Sequence, residues 1–167
     1  MTCARPRAAV AAALGLLALA LPVIVLTAPS AAELTDPLTL VLAACAIVSV
    51  LFASDWEGAV DISSAFVCFM LAVAFVGPVA AFAIPVVAEV VTFVVRRYRA
   101  QALPINLAAT SIPSLLAALV YGELVGALHE GRPRDLGVLA LVAIGFLVLN
   151  YMTISALVVL LDGGSMR

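Results

Sequence analysis

The stretch that decides the fold of this chain is AFVCFMLAVAFVGPVAAFAIPVVAEVVTFVVRRYR, from Ala65 to Arg99. As one straight helix, residues 65–95 would be about 46 Å long, which is too long for a hydrocarbon core of about 30 Å. Two ordinary spans would need about 40 residues. Gly77-Pro78 interrupts the stretch, because a proline disfavours the helical conformation in the preceding residue and removes a hydrogen-bond donor. We therefore predict a short helix, a turn at Gly77-Pro78 and a full helix; a single over-long tilted helix is the alternative.

The positions of the arginines distinguish between these alternatives. All eight cationic residues are arginines, and they divide evenly between the two sides if residues 65–95 cross once from a cytoplasmic N-terminus. If the stretch enters and returns, six lie inside and two outside, which the positive-inside rule favours. We therefore predict that both termini are cytoplasmic, with the first arm either crossing or re-entrant. The inside set is Arg5, Arg7, Arg96, Arg97, Arg99 and Arg167, and the outside set is Arg132 and Arg134.

The composition of the chain is that of a membrane protein. Of its 167 residues, 66% are hydrophobic and 11% charged, and its mean hydropathy is +1.28. Soluble domains are about 45–50% apolar and about 25% charged, so most of this surface must face the lipid bilayer. The length allows one integral membrane domain, residues 1–167, with at most about six crossings. A basic stripe with interleaved aromatic residues is absent, so nucleic acid is not an expected partner.

The apolar runs, one of them of double length, predict an all-α membrane protein. Its fold class is a compact bundle of about six transmembrane segments, one of them short and either crossing or re-entrant. The first run follows Arg5 and Arg7 and precedes small residues, as in a signal peptide, but it is longer than the usual apolar region of about 7–15 residues. We favour an uncleaved span over a signal peptide within residues 1–32. The predicted segments are 8–28, 38–53, 65–76, 79–95, 106–125 and 136–161.

Glu89 is the sharpest functional candidate, since it lies inside an apolar run. A carboxylate at such a position is costly in lipid and usually faces the bundle interior or a water-filled path. One interpretation is a ligand contact, a proton site or a sensor charge. The other is that Glu89 lies near the cytoplasmic end of its helix and pairs with Arg97 or with water.

Two asparagines are candidates for the polar interior of the bundle. Asn106 opens one predicted span and Asn150 lies near the centre of the last one. Amide side chains can hydrogen-bond across membrane helices, so packing is the expected role. Pro113 interrupts the same span as Asn106, and nearby hydroxyl side chains can bond the backbone groups that a proline frees. These hydroxyl residues are Thr110, Ser111 and Ser114.

A ladder of small residues, Ala118, Gly122 and Gly126, recurs every four positions. Small side chains at this spacing permit a close approach of two helices. The ladder therefore predicts close packing, either within the bundle or between two copies of the chain.

Catalytic and metal-binding motifs are absent from the sequence. It contains no Walker loop, no G-x-S-x-G and no H-E-x-x-H. Cys3, Cys45 and Cys68 are scattered, and a lone His129 cannot make a metal site by itself. We therefore expect neither an enzyme, a metal nor a cofactor. Trp56, beside acidic residues, suits the membrane–water interface.

Three stretches together resemble the N-terminal membrane sensor region of bacterial signalling proteins, over roughly residues 40–165. In those proteins a similar bundle precedes a cytoplasmic HD-GYP phosphodiesterase or GGDEF cyclase domain. The features that carry the resemblance are the polar start at Asp61–Ser63, Gly77-Pro78, Arg96–Arg99, and the two asparagines, Asn106 and Asn150. The stretches are DISSAFVCFMLAVAFVGPVAAFAIPVVAEVVTFVVRRYR, PINLAATSIPSLLAALVYGELVG and FLVLNYMTISALVVLLDGG.

The resemblance implies a non-enzymatic sensor or anchor module in a bacterial inner membrane, acting as a homodimer or through a separate cytoplasmic output subunit. The chain departs from the family at Arg167, where the output domain would begin, and no residues match the HD, GYP or GGDEF signatures. A competing resemblance is to the S-components of energy-coupling-factor transporters, which bind a vitamin and dock on an energising subunit. That interpretation suits the small-residue ladder, but the chain has few polar or aromatic residues to hold a vitamin.

Overall fold

The computed structural model describes residues 4–27, 32–52, 64–128 and 136–162, and all regular structure in these ranges is α-helical. The predicted all-α class is therefore confirmed. The helices, numbered in chain order, are α1 Ala4–Thr27, α2 Ala32–Thr35, α3 Pro37–Leu51, α4 Ala65–Phe75, α5 Pro78–Arg96, α6 Ala102–Leu128 and α7 Leu136–Asp162. Cys3, Trp56, Asp61–Ser63, His129, Arg132, Arg134 and Arg167 lie outside the described residues, as do the side chains of Arg5 and Gly126.

Four of these helices are long and apolar enough to cross a membrane, which supports the assignment as a membrane protein. They are α1, α5, α6 and α7, with spanning stretches Arg7–Thr27, Pro78–Arg96, Ala102–Val125 and Leu136–Leu160. Large apolar side chains lie on their surfaces, and Leu26 and Val25, for example, are 84% and 73% exposed. The apolar helices α3 and α4 have 15 and 11 residues. At about 22 and 16 Å, both are shorter than a hydrocarbon core.

The predicted break at Gly77-Pro78 is confirmed, and a single over-long helix is excluded. Helix α4 ends at Phe75, and α5 begins at Pro78, where the missing N–H costs nothing in the first turn of a helix. Gly77 joins them with φ 144° and ψ −179°, a backbone conformation that only glycine adopts easily. The two helices pack against each other.

Helix α4 lies in the interior of the bundle. Most of its 11 residues are buried, and it packs against α3, α5, α6 and α7. Phe66 meets Phe146 of α7 with ring centroids 5.4 Å apart. A short membrane segment that ends in a turn must be covered by protein, and the packing of α4 against these helices is compatible with that requirement.

Helices α3 and α5 run in the same direction. The Arg96 guanidinium donates from Nη2 to the Leu51 carbonyl oxygen over 3.0 Å, which joins the C-terminal ends of the two helices. Their N-terminal ends are both capped from the segment 32–36, by Glu33 and by Asp36. We call the end with Arg96 the arginine end and the end with Glu33 the clasp end.

The starts of α1 and α6 and the end of α7 lie together. Ala9 and Ala13 of α1 pack in one buried cluster with Ile105 and Ala108 of α6 and Leu157 of α7. Because α6 begins directly after the arginine end of α5, this cluster lies at the arginine end. The bundle therefore has the start of α1 and the end of α7 on the side of Arg96.

The structure differs from the expectation in the segment before α3 and at several helix ends, of which the start of α6 is one. The predicted loop between the first two spans contains the helical turn α2, and its last residue before α3, Asp36, caps that helix by accepting from the Leu38 N–H at 2.7 Å. Helix α6 begins at Ala102 rather than at residue 106. Pro104 does not prevent this, since the N–H groups of a first turn have no partner within the helix.

Alanine at Gly77 should destabilise the bundle by about 2 kcal/mol, through strain at a glycine-only conformation and through a steric conflict. A Cβ there would lie 2.7 Å from the carboxylate of Glu33. The matched control is Gly122→Ala, because a Cβ at Gly122 meets nothing within 4 Å. Unfolding midpoints in bicelles measure both, and equal midpoints for the two variants would contradict this account of the turn.

Candidate functional site

Glu89 lies on α5 toward its arginine end and is half-buried in an otherwise apolar helix. Its Oε2 accepts a hydrogen bond from the Tyr98 hydroxyl over 3.1 Å. Tyr98 belongs to the turn between α5 and α6, so the contact folds that turn back onto the helix it follows. A carboxylate inside an apolar span is thereby given a donor from outside the span.

The backbone at Arg97 explains how Tyr98 reaches Glu89. Arg97 adopts the left-handed conformation, with φ 48° and ψ 41°, and its N–H still bonds the Phe93 carbonyl at 2.9 Å. A left-handed residue at a helix end reverses the chain direction. The Tyr98 ring then packs edge-on against Phe93, with centroids 5.3 Å apart, one turn beyond Glu89 on the same helix face.

Asn106, in the second turn of α6, completes the group. Its side chain lies beside both the Glu89 carboxylate and the Tyr98 hydroxyl, as a neighbour able to hydrogen-bond with either. We call Glu89, Tyr98 and Asn106 the Glu89 cluster. It joins α5, the following turn and α6 through side chains alone, since the amide and the phenol can each donate to one carboxylate.

The arginine expected to pair with Glu89 is not its partner. Arg97 is exposed, and its left-handed backbone carries its side chain away from the cluster. Among the described residues, the partners of the carboxylate are Tyr98 and Asn106. The physical reason is that the left-handed turn at Arg97 reverses the chain, so that the side chain of Tyr98 and not that of Arg97 lies next to Glu89.

Burial and the neighbouring carboxylate change the acidity of the turn residue. Burial is the larger cause, and together with the charge of Glu89 it raises the pKa of Tyr98 from 10.0 to about 12. Both causes disfavour the phenolate, since a second negative charge in a poorly solvated place is costly. Tyr98 is therefore a neutral hydrogen-bond donor at physiological pH.

Asn150 is placed at the break that Pro113 makes in α6. A proline at position 113 has no N–H, so the carbonyl of Ala109, four residues earlier, loses its helical donor. The Asn150 side-chain Nδ2 of α7 donates to that carbonyl oxygen at 2.9 Å. This contact joins α6 to α7 and satisfies a backbone group that lipid could not.

The hydroxyl side chains near Pro113 behave in different ways. Thr110 bonds the carbonyl of Asn106 at 2.9 Å, and Ser111 bonds that of Leu107. Ser114 is fully buried, and its Oγ has no hydrogen-bond partner within the described part of the chain. The carbonyl that Pro113 frees is therefore served across helices by Asn150 and not by these hydroxyls.

The small-residue ladder does not lie on one packed face. Ala118 is buried in the main core, whereas Gly122 is exposed. No other heavy atom comes within 4 Å of a Cβ built at Gly122. Gly122 therefore mediates no close approach between helices in the described part of the chain.

A cavity of about 200 Å³ lies between α6 and α7. Leucines such as Leu116 and Leu141 at its edge are 43% and 69% exposed, so it opens to the bundle surface. Its lining is apolar: Pro113, Leu116, Ala117, Val120, Leu124, Leu141, Val142, Gly145, Phe146 and Leu149. Such a lining suits a hydrocarbon chain and lacks the polar groups that orient a water-soluble ligand.

Glu33 has a role that the sequence analysis did not assign to it. Its Oε2 accepts from the backbone N–H groups of Val79 at 3.0 Å and Ala80 at 3.3 Å, in the first turn of α5. These N–H groups have no acceptor inside their own helix, and a carboxylate suits the positive end of the helix dipole. We call this contact between Glu33 and the N-terminus of α5 the Glu33 clasp.

Comparisons with known proteins found no match to this chain. No protein-family model matches the chain, and no curated protein or solved structure is similar enough to indicate a relationship. Within the described ranges, no group of three or more His, Cys, Asp or Glu side chains is placed to hold a metal ion. The chemistry of the site therefore has to be argued from the Glu89 cluster itself.

Sequence analysis did not identify Glu33 or Tyr98, and the sequence contains a signal for only the first of them. Glu33 had a signal, since Gly77-Pro78 predicts a helix N-terminus, which favours a nearby anion. Tyr98 had none, because its contact with Glu89 depends on a left-handed non-glycine residue, Arg97, that no local pattern indicates. Its position between arginines suggests a surface residue instead.

Leucine at Asn150 should cost about 1 kcal/mol of stability, because the Ala109 carbonyl loses its donor. In a Pro113→Ala background the cost should fall below about 0.5 kcal/mol, since the N–H introduced at position 113 can serve the same carbonyl. Reversible unfolding in bicelles measures both costs. Thr153→Val is the control on α7, because its hydroxyl bonds its own helix; equal costs of the leucine substitution in both backgrounds would refute this role.

Tyr98 should titrate near pH 12 in protein that carries Tyr121→Phe and Tyr151→Phe, and Glu89→Gln should lower its pKa toward 10.0. Removal of a neighbouring negative charge makes the phenolate less costly, while burial still opposes it. The folded chain holds the proton more tightly than the unfolded chain, so stability should fall as pH rises from 10.0 to about 12. Phenolate absorbance measures the titration, and an unchanged pKa in Glu89→Gln would separate the two side chains.

Proposed function

We propose that this chain is a non-enzymatic multi-pass membrane sensor or anchor module of a bacterial signalling system. The observation that carries the proposal is the Glu89 cluster: a carboxylate in an apolar span, hydrogen-bonded to the following turn and neighboured by the Asn106 amide of the next helix. An ionisable group held inside a membrane bundle is costly, and such groups are found where a protein senses or transports. The cavity between α6 and α7 has an apolar lining that lacks the groups to orient a water-soluble substrate, so sensing is better supported than transport.

The cluster has the properties of a switch. One carboxylate brings together three elements at the arginine end: α5, its following turn and α6. An event that neutralises or displaces that carboxylate removes the hydrogen bond between Tyr98 and α5 and leaves the packing of Tyr98 on Phe93 to hold the turn. A signal that favours one of the two arrangements shifts their populations by its difference in affinity for them.

The proposed topology has six membrane segments and cytoplasmic termini. Helix α4 is the short arm, either crossing or re-entrant, and α5 returns to the arginine end. Arg96, Arg97 and Arg99 then lie on the cytoplasmic side, in agreement with the positive-inside rule. The module passes its signal to a separate cytoplasmic output subunit, or through a homodimer. Exposed Gly122 is available to a second copy, where a small residue permits close approach.

The sensor role is tested by fusing a cyclase output domain after Arg167 and measuring its product in cells. Glu89→Gln should change the output at least about fivefold, which corresponds to a coupling of about 1 kcal/mol between site and output. Glu123→Gln is the matched control, because Glu123 is an exposed carboxylate on α6. Equal output from the wild type and both variants, at equal amounts in the membrane, would sink the sensor proposal.

The topology is tested by thiol labelling in a background without the three native cysteines. Arg99→Cys and Glu123→Cys place single thiols on exposed residues at opposite ends of the bundle. A reagent that cannot cross membranes should label Glu123→Cys in intact cells with opened outer membranes, and Arg99→Cys only after lysis. Labelling of both from the same side would refute the proposed orientation.

The alternative is a vitamin-binding transporter component of the S-component type. The apolar cavity between α6 and α7 does not favour it, since a water-soluble vitamin needs several polar contacts. Mass spectrometry of the purified protein decides between the two functions. We expect lipid alone to co-purify; a bound vitamin, or capture of a transporter energising subunit, would favour the alternative.

A further inference from the structure

The Glu33 clasp joins the segment 32–36 to the far end of the helix that carries Glu89. We propose that the Glu33 clasp is the input contact of this module: its release is transmitted along α5 and rearranges the Glu89 cluster. The proposal deepens the sensor function above and rests on it for its biological meaning. Its physical content is a coupling between two polar contacts on one helix.

The clasp is a single-point attachment. Among the described residues, both hydrogen bonds from α5 to the segment 32–36 end on one oxygen, Glu33 Oε2. Gly77 permits the approach, since any Cβ there would lie 2.7 Å from the carboxylate. Removal of one side chain therefore removes both hydrogen bonds that join the first turn of α5 to this segment in the described part of the chain.

The segment that carries Glu33 is itself anchored to α3. Buried Thr39 donates its hydroxyl to the Glu33 carbonyl oxygen at 2.6 Å. Asp36 caps α3 by accepting from Leu38 N–H. The segment would therefore stay with α3 when the clasp opens, and the first turn of α5 would lose its hydrogen bonds to the segment.

Helix α5 can transmit a displacement of its first turn to Glu89. From Ala80 to Glu89 the distance along the axis is about 14 Å. The helix contains Pro85, where a helix can bend, but Ile84 and Pro85 are both less than 2% exposed. Close packing around the proline opposes bending there and passes displacement on, because a packed core does not deform continuously. The displacement reaches Glu89 at the interface with α6.

The test uses the two asparagines of the chain, Asn106 and Asn150. Protein labelled with nitrogen-15 asparagine in nanodiscs gives one side-chain amide pair from each. The Asn106 pair reports the Glu89 cluster, and the Asn150 pair reports the contact with Ala109 on α6. In uniformly labelled protein, the exchange rates of the Val79 and Ala80 amides report the clasp directly.

Glu33→Ala should raise the exchange rates of Val79 and Ala80 about tenfold, since their only acceptor is removed. It should also move the Asn106 pair by more than a linewidth and leave the Asn150 pair in place. Gly77→Ala should give the same pattern from the other side of the contact. An unmoved Asn150 pair also shows that the bundle is intact in each variant.

Three outcomes would overturn the proposal. Unchanged exchange at Val79 and Ala80 would show that Glu33 does not hold α5. Faster exchange with an unmoved Asn106 pair would show that the clasp acts only locally. Asp36→Ala removes the cap of α3 instead, and an equal movement of the Asn106 pair in that control would show that the effect is not specific to α5.

Failure of this proposal and failure of the sensor function give different results. An unchanged output from the Glu89→Gln cyclase fusion removes the sensor function, whatever the spectra of Glu33→Ala show. An unmoved Asn106 pair removes the coupling, while the effect of Glu89→Gln on the output remains.

Discussion

Backbone groups that water cannot reach must be satisfied inside the protein, and this constraint accounts for two contacts that hold the bundle together. Each interruption of a helix creates such groups. At the start of α5 two N–H groups have no acceptor in their own helix, and the Glu33 carboxylate accepts both. At Pro113 the carbonyl of Ala109 loses its donor, and Asn150 of the neighbouring helix supplies one. Glu33 and Asn150 are thus placed where the backbone is broken, and each of them joins two elements.

The Glu89 cluster follows a different logic, because Glu89 repairs no helix break. It lies within a continuous stretch of α5, accepts from Tyr98 of the next turn and lies beside Asn106 of the next helix. The helix could carry an apolar residue there at lower cost. The position of this carboxylate between α5 and α6 is the basis for the signalling role proposed for it. The left-handed Arg97, a costly conformation for a residue with a side chain, supports the same view.

Much of the architecture could be predicted from the sequence, since it depends on local rules. Apolar runs indicate membrane helices, and Gly77-Pro78 indicates a break whatever surrounds it. Asn150 was predicted as a helix-packing residue, and its amide bonds α6 in the structure. Less could be predicted of the site. Arg97 or water was one expectation for the partner of Glu89, because its position along a regular helix brings Glu89 close to the arginines that follow. The reversal at Arg97 replaced that partner with Tyr98.

By itself, then, the sequence indicated a surface that faces lipid, an all-helical class and the position of the turn. These features depend on the length of apolar runs and on proline chemistry, which act within one segment. The stretch Ala65–Arg99, read as two helices folded at Gly77-Pro78, is such a case. Only the tertiary structure decided which polar groups meet. Glu33 and Val79 are 46 residues apart, and Asn150 and Ala109 are 41 apart. Contacts at that separation depend on how helices are arranged against one another, which no periodicity within a single helix encodes.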